Sequence, residues 1–153
     1  MHVKFATVEN SVELSEIVLA ASEELRGVDF TEEGWDRFVA ANTSTEFEKK
    51  LGSADFCIFC CIESNRLLGF ISLKDQEKID QLFVIPEERN RGVASFLWQF
   101  AKKNAMQKGA SGTFWVRSSS VAIPVYKKFG FIPEGERQSF AGISFQLMRL
   151  QAK

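Results

Sequence analysis

The chain has a single tyrosine, a single histidine and three prolines in 153 residues. Its three cysteines, Cys57, Cys60 and Cys61, stand together in FCIFCCIE. A structural zinc site wants four ligands, and His2 is the one imidazole available to complete such a cluster. The stretch is therefore read as a buried strand using cysteine as a small hydrophobe, with no metal site. An odd, clustered set also speaks against a secreted disulfide framework and for a reducing cytoplasm. No apolar run approaches the ~20 residues needed to span a bilayer, so no membrane partner is expected. The opening MHVKFATVEN lacks the apolar core of a signal peptide and reads as a strand of the fold. Neither sign of charge dominates: 19 Lys and Arg against 20 Asp and Glu leave a net charge of −1. A nucleic-acid footprint would want a basic face, and none is indicated.

What is present is an ordinary globular composition, 45% hydrophobic and 25% charged, of a length that suits one domain over residues 1–153. There is no repeat, linker or low-complexity tract. Residues 2–8 read as a strand. Residues 9–25 place Val12, Leu14, Ile17, Val18 and Leu25 at helical spacing, with Asn10 or Ser11 as cap. Thr31 and the acids after it open a second helix over 31–43, with Trp35, Phe38 and Val39 on one face. TSTEFEKKLGSA is polar and undecided. Residues 54–63 and 67–75 form a hairpin around SNR, and 78–85 is a third strand closed by Pro86. A long helix runs from Gly92 to Lys108, with Val93, Phe96, Leu97, Phe100, Ala101 and Ala105 as its apolar stripe. A strand at 113–117, a helix at 120–130 and two closing strands within 131–140 and 143–150 complete the chain. The order β-α-α-β-β-β-α-β-α-β-β predicts an α/β (α+β) fold. Its sheet would be mixed and mostly antiparallel, with about seven strands and helices on both faces. The pair joined through the long helix would be parallel.

One junction carries a chemical signal. After LFVIPEE comes RNRGVASF, where a strand ends and the long helix begins. A helix N-terminus offers unpaired N–H groups and a partial positive charge, Gly92 leaves room for a ligand, and Arg89 and Arg91 add charge. This describes an anion site, most naturally for phosphate. Arginine at a helix start is locally unfavourable, and its double use there hints at function. The chain has neither GxxxxGK[ST] nor GxGxxG after its first strand, so a P-loop and a dinucleotide fold are unsupported. Trp98 and Trp115 are read as packing residues, and Glu87 and Glu88 as solvent-facing.

RNRGVA followed downstream by SSVAIPVYKKFGF resembles the GNAT superfamily of acyl-CoA-dependent N-acetyltransferases. The family loop [Q/R]-x-x-G-x-[G/A] is matched at all three fixed positions, 89 rather than 91 being the fixed arginine. The second signature is matched except for its asparagine, where Ser119 stands. The resemblance spans essentially the whole chain and implies acetyl-CoA as cosubstrate. It implies that the backbone of Arg89, Asn90, Arg91, Gly92, Val93 and Ala94 holds the pyrophosphate. It further implies that Leu82, Phe83 and Val84 pair with the pantetheine amides, and that Ser119 and Tyr126 lie beside the cofactor. The strands at 78–85 and 113–117 would splay there.

The implied reaction transfers acetyl to a primary amine of a small-molecule or peptide acceptor, by direct attack in a ternary complex. The single Tyr, among 15 Phe, falls where the family has its catalytic tyrosine. Tyr126 would protonate the departing thiolate, and a backbone N–H near Leu82 to Val84 would steady the oxyanion. Asp80 is the candidate base, the alternative being an exposed strand residue; Gln81, its neighbour, should face the other side. The acidic residues Glu23, Glu24, Asp29, Glu32 and Glu33 would either attract a cationic acceptor or form ordinary solvated surface. A non-catalytic acyl-CoA-binding module, or a transferase for another acyl group or acceptor, is the rival reading. Dimers are common in the family, so a homodimer stays open.

Overall fold

The computed structural model describes residues 1–152. The order of strands across the sheet is β1-β2-β3-β4-β5-β8-β6, with β7 paired to β8 alone. β1 (His2–Phe5), β2 (Phe56–Glu63), β3 (Arg66–Lys74) and β4 (Lys78–Val84) run antiparallel to their neighbours. β5 (Thr113–Ser118) is parallel to β4, and β8 (Ile143–Gln151) returns antiparallel to β5. The sheet has eight strands because residues 131–140 are divided into β6 (Ile132–Pro133) and β7 (Gln138–Phe140). Between them the backbone at Gly135 turns to a φ of 73°. The hairpins close tightly: Ser64 and Asn65, and Asp75 and Gln76, are consecutive residues at positive φ, as two-residue primed turns require.

The helices are α1 (Ser11–Ser22), α2 (Glu32–Ala41), α3 (Ser44–Leu51), α4 (Val93–Gln107) and α5 (Ile123–Lys128). α3 comes from the polar segment whose pattern leaves it undecided. Thr43 caps it by accepting from the Glu46 N–H at 3.3 Å, and only Phe47 is buried, so its apolar signal is one residue deep. Thr31 caps α2 in the same way, accepting from Gly34 N–H at 3.1 Å. Neither Asn10 nor Ser11 caps α1 as expected. The Asn10 side chain instead accepts from Thr7 N–H at 2.9 Å, within a short 3-10 turn ahead of the helix. Val12 of the expected stripe is exposed, as are Phe96 and Phe100 at the margin of α4.

The sheet separates two apolar layers. On one face α4 and α5 cover Phe59, Ile71, Ile79, Phe114 and Val116, with Trp98 set edge-on to Phe114 at 5.1 Å. On the other, α1 and α3 cover Ile58, Cys60 and Phe70. Cys60 and Cys61 thus enter different layers, and burial raises both thiols, Cys60 to about 12. No helix among the described residues is long and apolar enough to cross a membrane.

Candidate active site

β4 and β5 share only two register positions, Lys78↔Trp115 and Ile79↔Val116. Beyond them the strands part, and the edge of β4 from Asp80 to Val84 has no strand partner on that side. A cavity of about 390 Å³ opens in the gap. Leu82, Phe83 and Val84 form one wall, Arg89, Asn90, Gly92, Val93 and Ala94 the end, and Ser119 and Tyr126 the opposite wall. Ala21, Glu24 and Leu25 complete it from the end of α1, residues that carry no motif of their own. Of the residues expected at the cofactor, Arg91 alone is outside this lining. Its guanidinium turns away to Glu88 and to Glu63, the latter at 2.9 Å.

The end of the cavity is built from unpaired backbone. Asn90 (φ 65°) and Gly92 (φ 81°) are both left-handed, bending the backbone sharply ahead of α4. Among the described residues, the N–H groups of residues 90 to 95 donate to no protein acceptor. A Cβ added at Gly92 would meet nothing within 4 Å, so the glycine borders open volume. Arg89 does not supply a free charge here. It is bound by Glu24 and by the Ala21 carbonyl, so its work is to tie the loop to the end of α1.

Tyr126 is 4% exposed and packs against Phe129 and Phe131 at centroid distances of 6.0 and 5.5 Å. Among the described residues its hydroxyl has no hydrogen-bond partner. Burial raises its pKa well above the ordinary tyrosine value, so the group stays protonated.

Asp80 does not line the cavity. The β3–β4 register steps between Ser72↔Gln81 and Leu73↔Ile79, leaving Asp80 as the extra residue of a bulge. That overturns the alternation expected of its neighbour: Asp80 and Gln81 both reach groups on the α1–α3 face. Oδ2 of Asp80 accepts from Lys50 Nζ at 2.9 Å and Ser72 Oγ at 3.4 Å, and Gln81 Nε2 donates to Asn42 Oδ1 at 2.6 Å. Among the described residues, Oδ1 of Asp80 has only Lys78 Nζ, at 3.9 Å.

Asp29 was grouped by sequence with the surface acids, but it is 2% exposed. It accepts from the Ser120 N–H at 2.8 Å, from Ser120 Oγ at 3.0 Å and from Arg137 Nη2 at 2.5 Å. It thereby joins the α1–α2 loop, the β5–α5 loop and the approach to β7. No local pattern distinguishes such a carboxylate from its solvated neighbours, because its partners are about 90 and 108 residues away.

A family model described as an acetyltransferase (GNAT) domain matches residues 27–152. The chain belongs to the GNAT acetyltransferase family. A search of curated proteins found no match. Among solved structures, a GCN5-related N-acetyltransferase from Rhodopseudomonas palustris is 24% identical, with a TM-score of 0.84 over 98% of this chain and 94% of that one. The PaiA N-acetyltransferase from Thermoplasma acidophilum, solved in complex with coenzyme A, is 19% identical, also at 0.84, over 99% of both chains. The ribosomal-protein-S18-alanine N-acetyltransferase from Escherichia coli is 13% identical, with a TM-score of 0.69 over 99% and 94%. GNAT membership brings acetyl-CoA-dependent acetyl transfer as the general activity. The cleft fits that cosubstrate. Its end presents unpaired N–H groups for a diphosphate, its wall presents an unpaired strand edge to an amide-bearing chain, and Gly92 leaves the space between.

Proposed function

We propose that this GNAT protein transfers acetyl from acetyl-CoA to a primary amine by direct attack, with both substrates bound together. The observation that carries the reading is the row of unpaired N–H groups at residues 90 to 95, opening into the same cavity as the unpartnered Tyr126 hydroxyl. Acetyl-CoA, when bound, supplies the acetyl group as a thioester whose sulfur departs.

The chain's own parts divide the remaining work. The N–H groups of residues 90 to 95, at the positive end of α4, hold the diphosphate. The free edge of β4 at Leu82, Phe83 and Val84 lays the cosubstrate's amides alongside it as an added strand. Ser119 closes the wall opposite. Tyr126 holds a proton at Oη that burial keeps in place, ready for the departing sulfur. Asp80 offers Oδ1 to the amine's proton, directly or through water, while Lys50 and Ser72 fix Oδ2. Cys57, Cys60 and Cys61 lie on β2, separated from β4 by β3, so a cysteine relay has no support.

Calorimetry and thermal denaturation test the first half. CoA and acetyl-CoA should bind and raise the melting temperature, with ATP and NADH far weaker. Following free thiol release with an amine panel tests the second. Stabilisation by NADH equal to that by CoA sinks the reading, as does a CoA-binding protein that acetylates no amine.

A further inference from the structure

Of the five acids that a cationic acceptor would need, four are occupied from within, and Glu32 alone has no partner among the described residues. Glu24 holds Arg89, Glu23 holds Arg26, Glu33 holds Arg37, and Asp29 holds Arg137 and Ser120. An unpaired cation stands elsewhere. On the face of β5 and β8 turned away from α4, a hollow of about 260 Å³ is lined by Trp115, Arg117, Gln138, Phe145, Leu147 and Arg149. Arg149 is paired with Glu134 at 2.7 Å. Arg117 is exposed and, among the described residues, has neither an ion-pair nor a hydrogen-bond partner.

Two rings hold that guanidinium. Arg117 pairs with Leu147 and Trp115 with Arg149, so Trp115 lies to one side of Arg117 along the sheet and Phe145 to the other. The Arg117 Cζ sits 5.6 Å from the Trp115 ring centroid and 5.2 Å from that of Phe145. Aromatic contacts of this kind engage the guanidinium faces and leave its N–H edge for a ligand. Lys78 Nζ is 5.2 Å from the same Trp115 ring. Burial lowers the pKa of Lys78, with Asp80 opposing as the countercharge and the nearby Arg117, Lys74 and Lys50 adding to the drop.

The hollow is placed for an acceptor. Val116 is the last β5 residue paired to β4, Arg117 is the first beyond the parting, and Ser119 lines the cavity. Arg117 faces the same side of the sheet as Asp80. The geometry points to a carboxylate subsite: Arg117, with Gln138 beside it, holds the carboxylate of a small amine whose nitrogen reaches the β4–β5 opening. The acceptor class is therefore amines that also carry a carboxylate, of amino-acid type. A carboxylate is flat and matches the two parallel N–H groups of a guanidinium edge. A phosphate can meet the same edge, so phosphoethanolamine serves as the competing anion in the test. This inference rests on the acetyl-transfer reading above.

The test is acetyl transfer to matched amines: glycine against ethylamine, β-alanine against propylamine, γ-aminobutyrate against butylamine, with phosphoethanolamine added. CoA binding is measured separately by calorimetry. The carboxylate member of at least one pair should be favoured by about tenfold or more in kcat/KM, the scale of a charge-assisted hydrogen bond. Arg117→Leu should remove that preference and leave CoA affinity within about twofold. Arg117→Lys should keep part of the preference, having the charge without the fork. Equal use of both members overturns the inference. So does a preference that survives Arg117→Leu, a better rate with phosphoethanolamine than with β-alanine, or CoA binding without acetylation of any carboxylate-bearing amine. Failure of the wild-type protein to bind CoA is a different result: it removes the acetyl-transfer reading itself, and the subsite with it.

Discussion

Nη1 of Arg89 is 2.9 Å from each carboxylate oxygen of Glu24, and its Nη2 donates to the Ala21 carbonyl at 3.2 Å. The family's loop arginine is thus neutralised by the end of α1, and in the proposed complex the backbone holds the diphosphate. An exposed pair of this kind contributes ~0–1 kcal/mol to stability. Arg89→Ala should therefore lower the melting temperature little but weaken CoA several-fold, by loosening the loop and removing a charge near the phosphates. Glu24→Gln separates the two effects. It frees the guanidinium toward the cavity, and CoA should bind as well as before or better, with the gain fading at high salt. Calorimetry at two salt concentrations decides; a loss on Glu24→Gln equal to that on Arg89→Ala would mean that positioning alone matters.

Gly92 answers to two constraints. Its φ of 81° strains any L side chain, at a cost of roughly 1–2 kcal/mol, and the open space beside it is where the proposed diphosphate would approach backbone. Gly92→Ala should show the strain in denaturant unfolding. Gly92→Val should in addition lower CoA affinity by about tenfold or more while the protein stays folded. Normal CoA binding by a folded Gly92→Val variant would place the phosphate elsewhere.

Much of this was legible beforehand because it is local. The strand–RNRGVA–helix junction, the Thr31 cap and the α4 stripe each lie within a few residues, where period and capping chemistry speak directly. The bulge at Asp80 was not legible. It is a register step between two strands, and nothing in KIDQLFV marks it, so simple alternation sent Gln81 to the wrong face. Asp29 and Arg117 were missed for the same reason in opposite directions. The buried acid has distant partners that no pattern reveals. The cation lacks one, and its setting depends on Phe145 from another strand. α3 escaped because one buried phenylalanine makes a weak period.

The thiols carry a pH signature. Burial raises Cys57, Cys60 and Cys61, so the folded state keeps protons that the unfolded chain releases above pH ~8.5. Their contribution to stability is full below that pH and is lost as pH rises toward about 12, where Cys60 itself would ionise. Replacing all three by Ala should flatten this alkaline decline and leave turnover nearly unchanged. Labelling by a thiol reagent should be slow for Cys60 and Cys61 until the protein unfolds.

Tyr126→Phe removes an oxygen that has no protein partner and keeps a ring packed on Phe129 and Phe131. Melting temperature and CoA affinity should barely move. General-acid assistance is worth ~10²–10⁴, and kcat should fall toward the lower end because a thiolate leaves tolerably well. The KM for acetyl-CoA should change little. As the chain's single tyrosine, Tyr126 can be titrated by ultraviolet absorbance. Its raised pKa predicts no tyrosinate signal until the fold is lost, and no drop in activity at the ordinary tyrosine pKa of ~10. A wild-type rate in Tyr126→Phe under chemistry-limited conditions would end the proton-donor assignment while leaving acetyl transfer standing.

The base is tested at Asp80, where a structural role competes with a chemical one. Lys50, packed beside Phe47 and Phe56, loses its 2.9 Å partner in Asp80→Asn, so lowered stability alone says nothing about catalysis. Lys50→Met in the same background removes the stranded charge and should recover most of the melting temperature. If Oδ1 takes the amine's proton, the double variant should still be slow, by ~10²–10⁴ in kcat/KM near neutral pH. Its rate should then climb as pH rises, because an alkyl amine loses its own proton to solvent toward pH ~10. The wild type, with its base in place, should climb less steeply. The asparagine keeps the shape of the side chain and part of its bonding to Ser72, so the acetyl-CoA KM should stay near the wild-type value. Recovery of both stability and neutral-pH turnover in the double variant would show that Asp80 serves only to hold Lys50, and the proton would then have to leave by water along the cleft.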